Sequence, residues 1–210
     1  MTSAAVRMDR MYRHQRHIYD LTRKYYLLGR DRLIDDLAPP RGGRVLELGC
    51  GTGRNLIAAA ARYPAAHFTG ADVSAAMLAT ARLATARARL SARIRYIQAD
   101  ATAFEPHEFY DRIFLSYTLS MIPGWRAAIE RALAAAGEGG RLHIVDFGQS
   151  EELPAWFRRT LFAWLARFGV RPRAELFDIL ATIAARDGLD LSVTRLWRGY
   201  AWAATLSRGV

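Results

Sequence analysis

The densest chemistry in the chain lies in Glu47-Leu48-Gly49-Cys50-Gly51-Thr52-Gly53, where an acid is followed by glycines at every second position. Val45 to Leu48 are apolar enough for a buried parallel strand, and the glycines let backbone close on a ligand where side chains would collide. A dinucleotide fingerprint puts its third glycine three residues after the second. Here Arg54 holds that place and the third glycine is Gly53, so the spacing disfavours NAD. Asp72, with Val73 beside it, stands about 20 residues downstream, where an acid hydrogen-bonds both ribose hydroxyls; its plainer reading is a loop-capping aspartate. Cys50, the single cysteine, has no partner for an internal disulfide or a cysteine metal cluster and reads as a space-filler rather than a nucleophile. The five histidines share no recognised spacing with acids or cysteine, so no metal site is expected.

These residues need a scaffold that brings strand ends together. Arg54 to Arg62 has Ala and Leu at helical spacing, and His67 to Ala71 reads as a second strand ending at Asp72. Ser74 can cap a helix running to about Leu90; Arg93 to Gln98 is a third strand that ends at Asp100, followed by Ala101. Tyr110 to Ser116 supplies a fourth strand, Gly124 to Ala136 a helix and Arg141 to Phe147 a fifth strand. A helix at about Glu175 to Arg186 precedes strands at about Leu189 to Trp197 and Tyr200 to Ser207, read as a closing antiparallel pair. The alternation predicts an α/β doubly wound, seven-stranded, mostly parallel sheet with helices on both faces, in which the ligand meets the carboxyl ends of the strands. Ser116 and Tyr117, just past the fourth strand, would then face the reacting atoms. Asp146 would point into the acceptor pocket, and His143 on the same strand reads equally as a core histidine or a base.

The 210 residues are 51% hydrophobic and 24% charged, which suits a single folded domain spanning 1–210. No apolar run reaches the roughly 20 residues of a spanning helix, and the basic N-terminus lacks a signal-peptide core, so a cytoplasmic protein is expected. The net charge of +10 points to an anionic partner surface, although Lys24 is the only lysine and codon bias explains an Arg-rich chain equally well. Two segments exceed the minimal sheet: 1–40 and an insert at 150–173. In the first, Ile18, Leu21 and Tyr25 make an apolar stripe beside Arg13, Arg16, Arg23 and Lys24. In the second, Trp156, Phe157, Leu161, Trp164, Leu165 and Phe168 recur at helical spacing against Arg158, Arg159 and Arg167. This pattern suits either an interfacial helix or core packing.

Glu-x-Gly-x-Gly-x-Gly after a strand resembles the first motif of class I S-adenosylmethionine (SAM) methyltransferases. The resemblance implies SAM as cofactor, with Glu47 holding the loop or meeting the ligand's ammonium, Gly49, Cys50 and Gly51 under the methionine end, Asp72 and Val73 at the ribose, Asp100 and Ala101 at the adenine, and Ser116 near the sulfonium. Tyr19-Asp20-Leu21-Thr22-Arg23-Lys24-Tyr25-Tyr26-Leu27-Leu28-Gly29-Arg30-Asp31, together with Leu46 to Asn55 and Val145-Asp146-Phe147-Gly148, is similar to bacterial betaine-lipid N-methyltransferases. That likeness implies stepwise methylation of diacylglyceryl homoserine at an anionic membrane surface, on the inner face of the cell membrane. Under it, Tyr19, Tyr25 or Tyr117 would face the methylated ammonium, where cation–π contact contributes about 0.5–2 kcal/mol. Arg30 would pair with the homoserine carboxylate and Asp146 would border the acceptor. Tyr19, His143, a carboxylate acting through water and simple desolvation all stand as routes for amine deprotonation. Phosphatidylethanolamine or a small-molecule amine is the alternative acceptor. An RNA methyltransferase is disfavoured because Ser116-Tyr117-Thr118-Leu119 replaces the Asn/Asp-Pro-Pro-aromatic sequence often found on base-amine enzymes, so no nucleic-acid partner is expected. A non-catalytic SAM-binding partner protein is a further alternative.

Overall fold

The computed structural model describes residues 27–208. Within them a seven-stranded sheet is built from β1 (Arg44–Leu48), β2 (His67–Asp72), β3 (Ile94–Gln98), β4 (Tyr110–Ser116), β5 (Ala136–Phe147), β6 (Leu189–Leu196) and β7 (Ala201–Arg208). The strand order is β3-β2-β1-β4-β5-β7-β6. β1 to β5 pair in parallel, while β7 runs antiparallel to both neighbours. The order reverses between β1 and β4, so a crevice is expected where the loops leaving those two strands diverge.

Among the described residues six helices accompany the sheet: α1 (Arg30–Asp36), α2 (Arg54–Arg62), α3 (Ala75–Arg87), α4 (Trp125–Ala134), α5 (Ala155–Ala166) and α6 (Leu176–Asp187). Strand side chains alternate, and the two faces bury different sets. Leu46, Leu48, Leu142 and Ile144 pack with Ile129 of α4 and Leu180 and Ile183 of α6. Val45, Phe68, Phe114 and Val145 pack with Leu33 of α1, Leu56 of α2 and Leu78 of α3. Helix α5 joins this second cluster through Leu165, its one fully buried residue. Ser74 caps α3 as expected, its side chain accepting from Met77 N.

The element boundaries follow the sequence pattern with one instructive difference. The expected helix to Ala136 stops at Ala134, and β5 begins at Ala136 rather than Arg141. Tyr110 pairs with Ala136 and Arg112 with Arg141, so a register shift absorbs the extra residues. Gly139, at φ +66, takes the left-handed conformation there. The basic and aromatic stripe around Tyr19 and Tyr25 lies outside the described residues.

Candidate active site

The turn between β1 and α2 is shaped by backbone before any side chain acts. Gly49 N and Cys50 N both donate to Ala71 O of β2, at 2.8 and 3.0 Å, which folds the loop over the neighbouring strand end. Gly49, Gly51 and Gly53 all have positive φ, of +75, +52 and +74. A Cβ on Gly49 would lie 2.3 Å from Thr118 Cγ2, in the loop after β4, so only glycine lets the two loops meet. Asp72 fastens the turn: its Oδ2 accepts from Gly51 N at 2.8 Å and its Oδ1 from Ser74 N at 2.9 Å.

At the point of strand reversal lies a cavity of about 330 Å³, a volume suited to a small organic ligand. Gly49, Cys50, Gly51, Asp72, Val73, Asp100, Ala101, Ser116, Tyr117 and Arg30 of the expected site residues line it. Both hydrogen bonds to the Asp100 carboxylate, from Thr102 N and Thr102 Oγ1 at 2.8 Å each, fall on Oδ1. Burial and the neighbouring Glu47 and Asp72 carboxylates push the Cys50 thiol well above its usual value, which keeps it protonated and unreactive.

Four expected residues stand elsewhere or act differently. Glu47 is fully buried outside the cavity wall, and its Oε1 accepts from Asn55 Nδ2 of α2 at 2.6 Å, so it braces strand against helix from beneath the loop. His143 faces α1, in a separate small cavity beside Gly29 and Leu33, with Nδ1 3.3 Å from Thr205 Oγ1. Burial and the nearby Arg112 and Arg141 guanidinium groups push it down to about 4, so it stays neutral and distant from the transfer site. Asp146 turns to the other face of β5. Its Oδ2 accepts from Ser120 N at 3.0 Å and its Oδ1 from Phe147 N at 2.8 Å, which makes it a brace of the loop after β4 rather than a wall of the acceptor pocket. Tyr117 lines the cavity but its hydroxyl donates a hydrogen bond to Leu28 O and its ring stands edge-on to Phe147, centroids 4.7 Å apart. Burial also raises this phenol well above its usual value. It therefore pins residues 27–30 across the cavity and is not a base. Tyr19 and Tyr25 are outside the described residues.

Several wall and support residues carried no sequence signal. Met121 and Ile122 of the loop after β4 line the cavity, and that loop is held from outside by Arg173: Nε donates to Leu119 O at 3.0 Å and Nη2 to Ile122 O at 2.7 Å. Arg171 N adds a bond to Ser120 O at 2.8 Å. Among the described residues, no group of three or more His, Cys, Asp or Glu is disposed to hold a metal.

Residues 45–140 match the family model of a methyltransferase domain, spanning the glycine loop, both acids and the strand reversal. Across the described residues the sheet and its helices have the Rossmann-like fold of class I SAM-dependent methyltransferases. Among curated proteins it is 35% identical over 153 residues to a trans-aconitate 2-methyltransferase from Paracidovorax citrulli (strain AAC00-1), a match over 67% of this chain and 56% of that one. The chain thus spans a little over half the length of that relative. Among solved structures, a Haemonchus contortus phosphoethanolamine N-methyltransferase 2 in complex with phosphomonomethylethanolamine and S-adenosylhomocysteine has a TM-score of 0.78 at 16% identity, covering 100% of this chain and 61% of that one. DhpI in complex with S-adenosylhomocysteine has a TM-score of 0.68 at 23% identity, with 99% of each chain covered. These likenesses establish the shared fold.

The wall suits SAM. The Gly49 turn leaves room for a methionine end, Asp72 at the end of β2 would meet the ribose hydroxyls, and Asp100 keeps Oδ2 without a protein hydrogen bond among the described residues, an acceptor suited to an adenine amino group. The buried Ser116 Oγ, likewise without a partner among the described residues, borders the same cavity.

Proposed function

We propose that the chain is a SAM-dependent N-methyltransferase that successively methylates the amine of diacylglyceryl homoserine to its trimethylated betaine form. The observation that carries this reading is the pairing of a cation and an aromatic ring in one cavity with the glycine loop: Arg30, its side chain 12% exposed and paired through Nε and Nη2 with Oδ1 of the exposed Asp31, an ion pair that an acceptor carboxylate would share or displace, and Tyr117. An acceptor bearing both a carboxylate and an amine suits that pair, since a guanidinium grips the carboxylate and a ring face accommodates the bulkier ammonium of each round. The similarity of residues 19–31 to betaine-lipid N-methyltransferases points the same way.

Bound SAM supplies a sulfonium methyl: the amine lone pair forms the C–N bond as the C–S bond breaks, and each of three rounds sets one proton free. Orientation by the wall residues contributes several kcal/mol of barrier reduction, on the order expected for well-aligned reactants. Tyr117 and Leu27 exclude water from the amine, and Asp146 and His143, both sealed from the cavity, take no part in moving its proton. Tyr19, a wall carboxylate acting through water and simple desolvation are the routes left, and Tyr19→Phe tests the first: lost turnover with normal SAM binding supports it, and unchanged turnover removes it.

A second reading, carboxylate O-methylation, is favoured by the 35% identity to a trans-aconitate 2-methyltransferase, because the same Arg30 would hold a second carboxylate. Mass spectrometry after incubation with SAM and, in separate tubes, diacylglyceryl homoserine, phosphatidylethanolamine and trans-aconitate separates them. Additions of one, two and three methyl groups to the homoserine lipid are expected. Transfer to phosphatidylethanolamine alone or to trans-aconitate alone would replace the acceptor.

A further inference from the structure

Helix α5 presents two unlike faces. Leu153, Phe157, Leu161, Leu165 and Phe168 turn inward and share a cluster with Leu27 and Met121 of the cavity wall. On the opposite side Trp156, Arg159, Thr160, Ala163, Trp164 and Arg167 are all exposed, Trp156 by 65%. Trp164, 36% exposed, sets its ring edge-on to Phe168 with centroids 5.1 Å apart, whereas Trp156 touches Phe157 by an edge and leaves most of its ring in solvent, more than packing alone explains. The turn between β6 and β7 adds Trp197, 50% exposed and held at φ +47, with exposed Arg198 next to it at φ +60. These parts adjoin: Glu152 N donates to Arg198 O, and a Cβ on Gly29, one residue before Arg30, would lie 3.2 Å from the Trp197 ring. Of the acids at the start of the helix, Glu151 is engaged by Arg195 and by Trp202 Nε1.

We infer that the outer face of α5 and the Trp197-Arg198 turn form a docking surface for an anionic lipid bilayer, set beside residues 27–30 at the cavity. Indole rings settle at the boundary between acyl chains and head groups, and the interleaved arginines complement anionic head groups. No described helix is long and apolar enough to cross a membrane, so the contact is tangential. The inference rests on the lipid-amine reading for its purpose, since a bilayer-bound acceptor can reach Arg30 without leaving the membrane.

Flotation of the full chain with phosphatidylcholine vesicles, with and without 30% (about one lipid in three) phosphatidylglycerol, tests the surface. The wild type is expected to float with anionic vesicles at low salt and to be released as salt rises, because screening shortens to about 3 Å at 1 M. The double variant Trp156→Ala/Trp164→Ala and, separately, Arg159→Gln/Arg167→Gln should each bind about tenfold more weakly or worse, with unchanged thermal unfolding. Wild-type protein that ignores anionic vesicles, or variants that float as it does, would overturn the proposal. So would binding that appears only after removal of residues 1–26, which would make that segment the occupant, or preferential capture of single-stranded RNA by the same face. Transfer to a short-chain, water-soluble homoserine-lipid analogue without vesicles reports on the acceptor separately, so each reading can fail alone.

Discussion

Gly49 and His143 illustrate how single residues divide between chemistry and scaffold. Gly49 combines a left-handed φ of +75 with a Cβ position 2.3 Å from Thr118, so Gly49→Ala must shift one of two loops that line the same cavity. The left-handed backbone alone costs about 1–2 kcal/mol, and titration calorimetry should show SAM binding weakened by about tenfold or more. His143 behaves oppositely. Its folded value of about 4 lies below the ordinary 6.5, so between those values the unfolded chain binds the extra proton and stability falls as the pH drops. His143→Gln should flatten that acid slope, worth at most about 3 kcal/mol, and leave turnover unchanged. Denaturant midpoints at pH 7 and pH 4.5, beside a rate measurement, check both parts. Three residues apart on one strand, His143 and Asp146 lie on opposite faces of the sheet and could not both have lined one pocket. The positions of Asp72 and Asp100 were legible because an acid directly ending an apolar strand has few other reasons to be there. Asp146 ends a strand too, yet its carboxylate is consumed by Ser120 N and Phe147 N, a distinction that only the loop conformation reveals.

At the scale of elements, the parallel core was readable because apolar strands and helical segments alternate with the motif residues at the strand ends, whereas the supports of the loop after β4 were not. Arg173 lies 54 residues from Leu119 in the chain, and nothing local to either marks their contact. Its guanidinium bonds two carbonyls of a loop that contributes Met121 and Ile122 to the cavity wall, so Arg173→Ala frees the acceptor side while leaving the glycine turn intact. The expected result is an acceptor KM raised by about tenfold, equivalent to one or two hydrogen bonds, with SAM affinity unchanged. A parallel loss of SAM binding would show that the loop supports both ends of the cavity. The aromatic run of α5 was also visible in sequence, but its division was not: periodicity indicates a stripe, and only packing shows that Leu165 turns inward while Trp156 faces outward.

At the scale of the whole molecule, Arg171 and Arg173 begin five residues after the end of α5 and close directly on the cavity wall, so the helix and the acceptor loop are mechanically one piece. Thermodynamic coupling through such a piece is reciprocal. If bilayer attachment of α5 tightens the loop around an acceptor, then an occupied acceptor site must hold the protein to the bilayer by the same factor. The residence time on anionic vesicles should therefore lengthen when S-adenosylhomocysteine and a homoserine-lipid analogue are both present, measurable by stopped-flow release into excess vesicles. Arg173→Ala should erase the difference without abolishing attachment. Under this coupling an intermediate carrying one or two methyl groups is itself the ligand that delays departure, and successive methylation becomes a property of how long the protein lingers rather than of any extra group in the site.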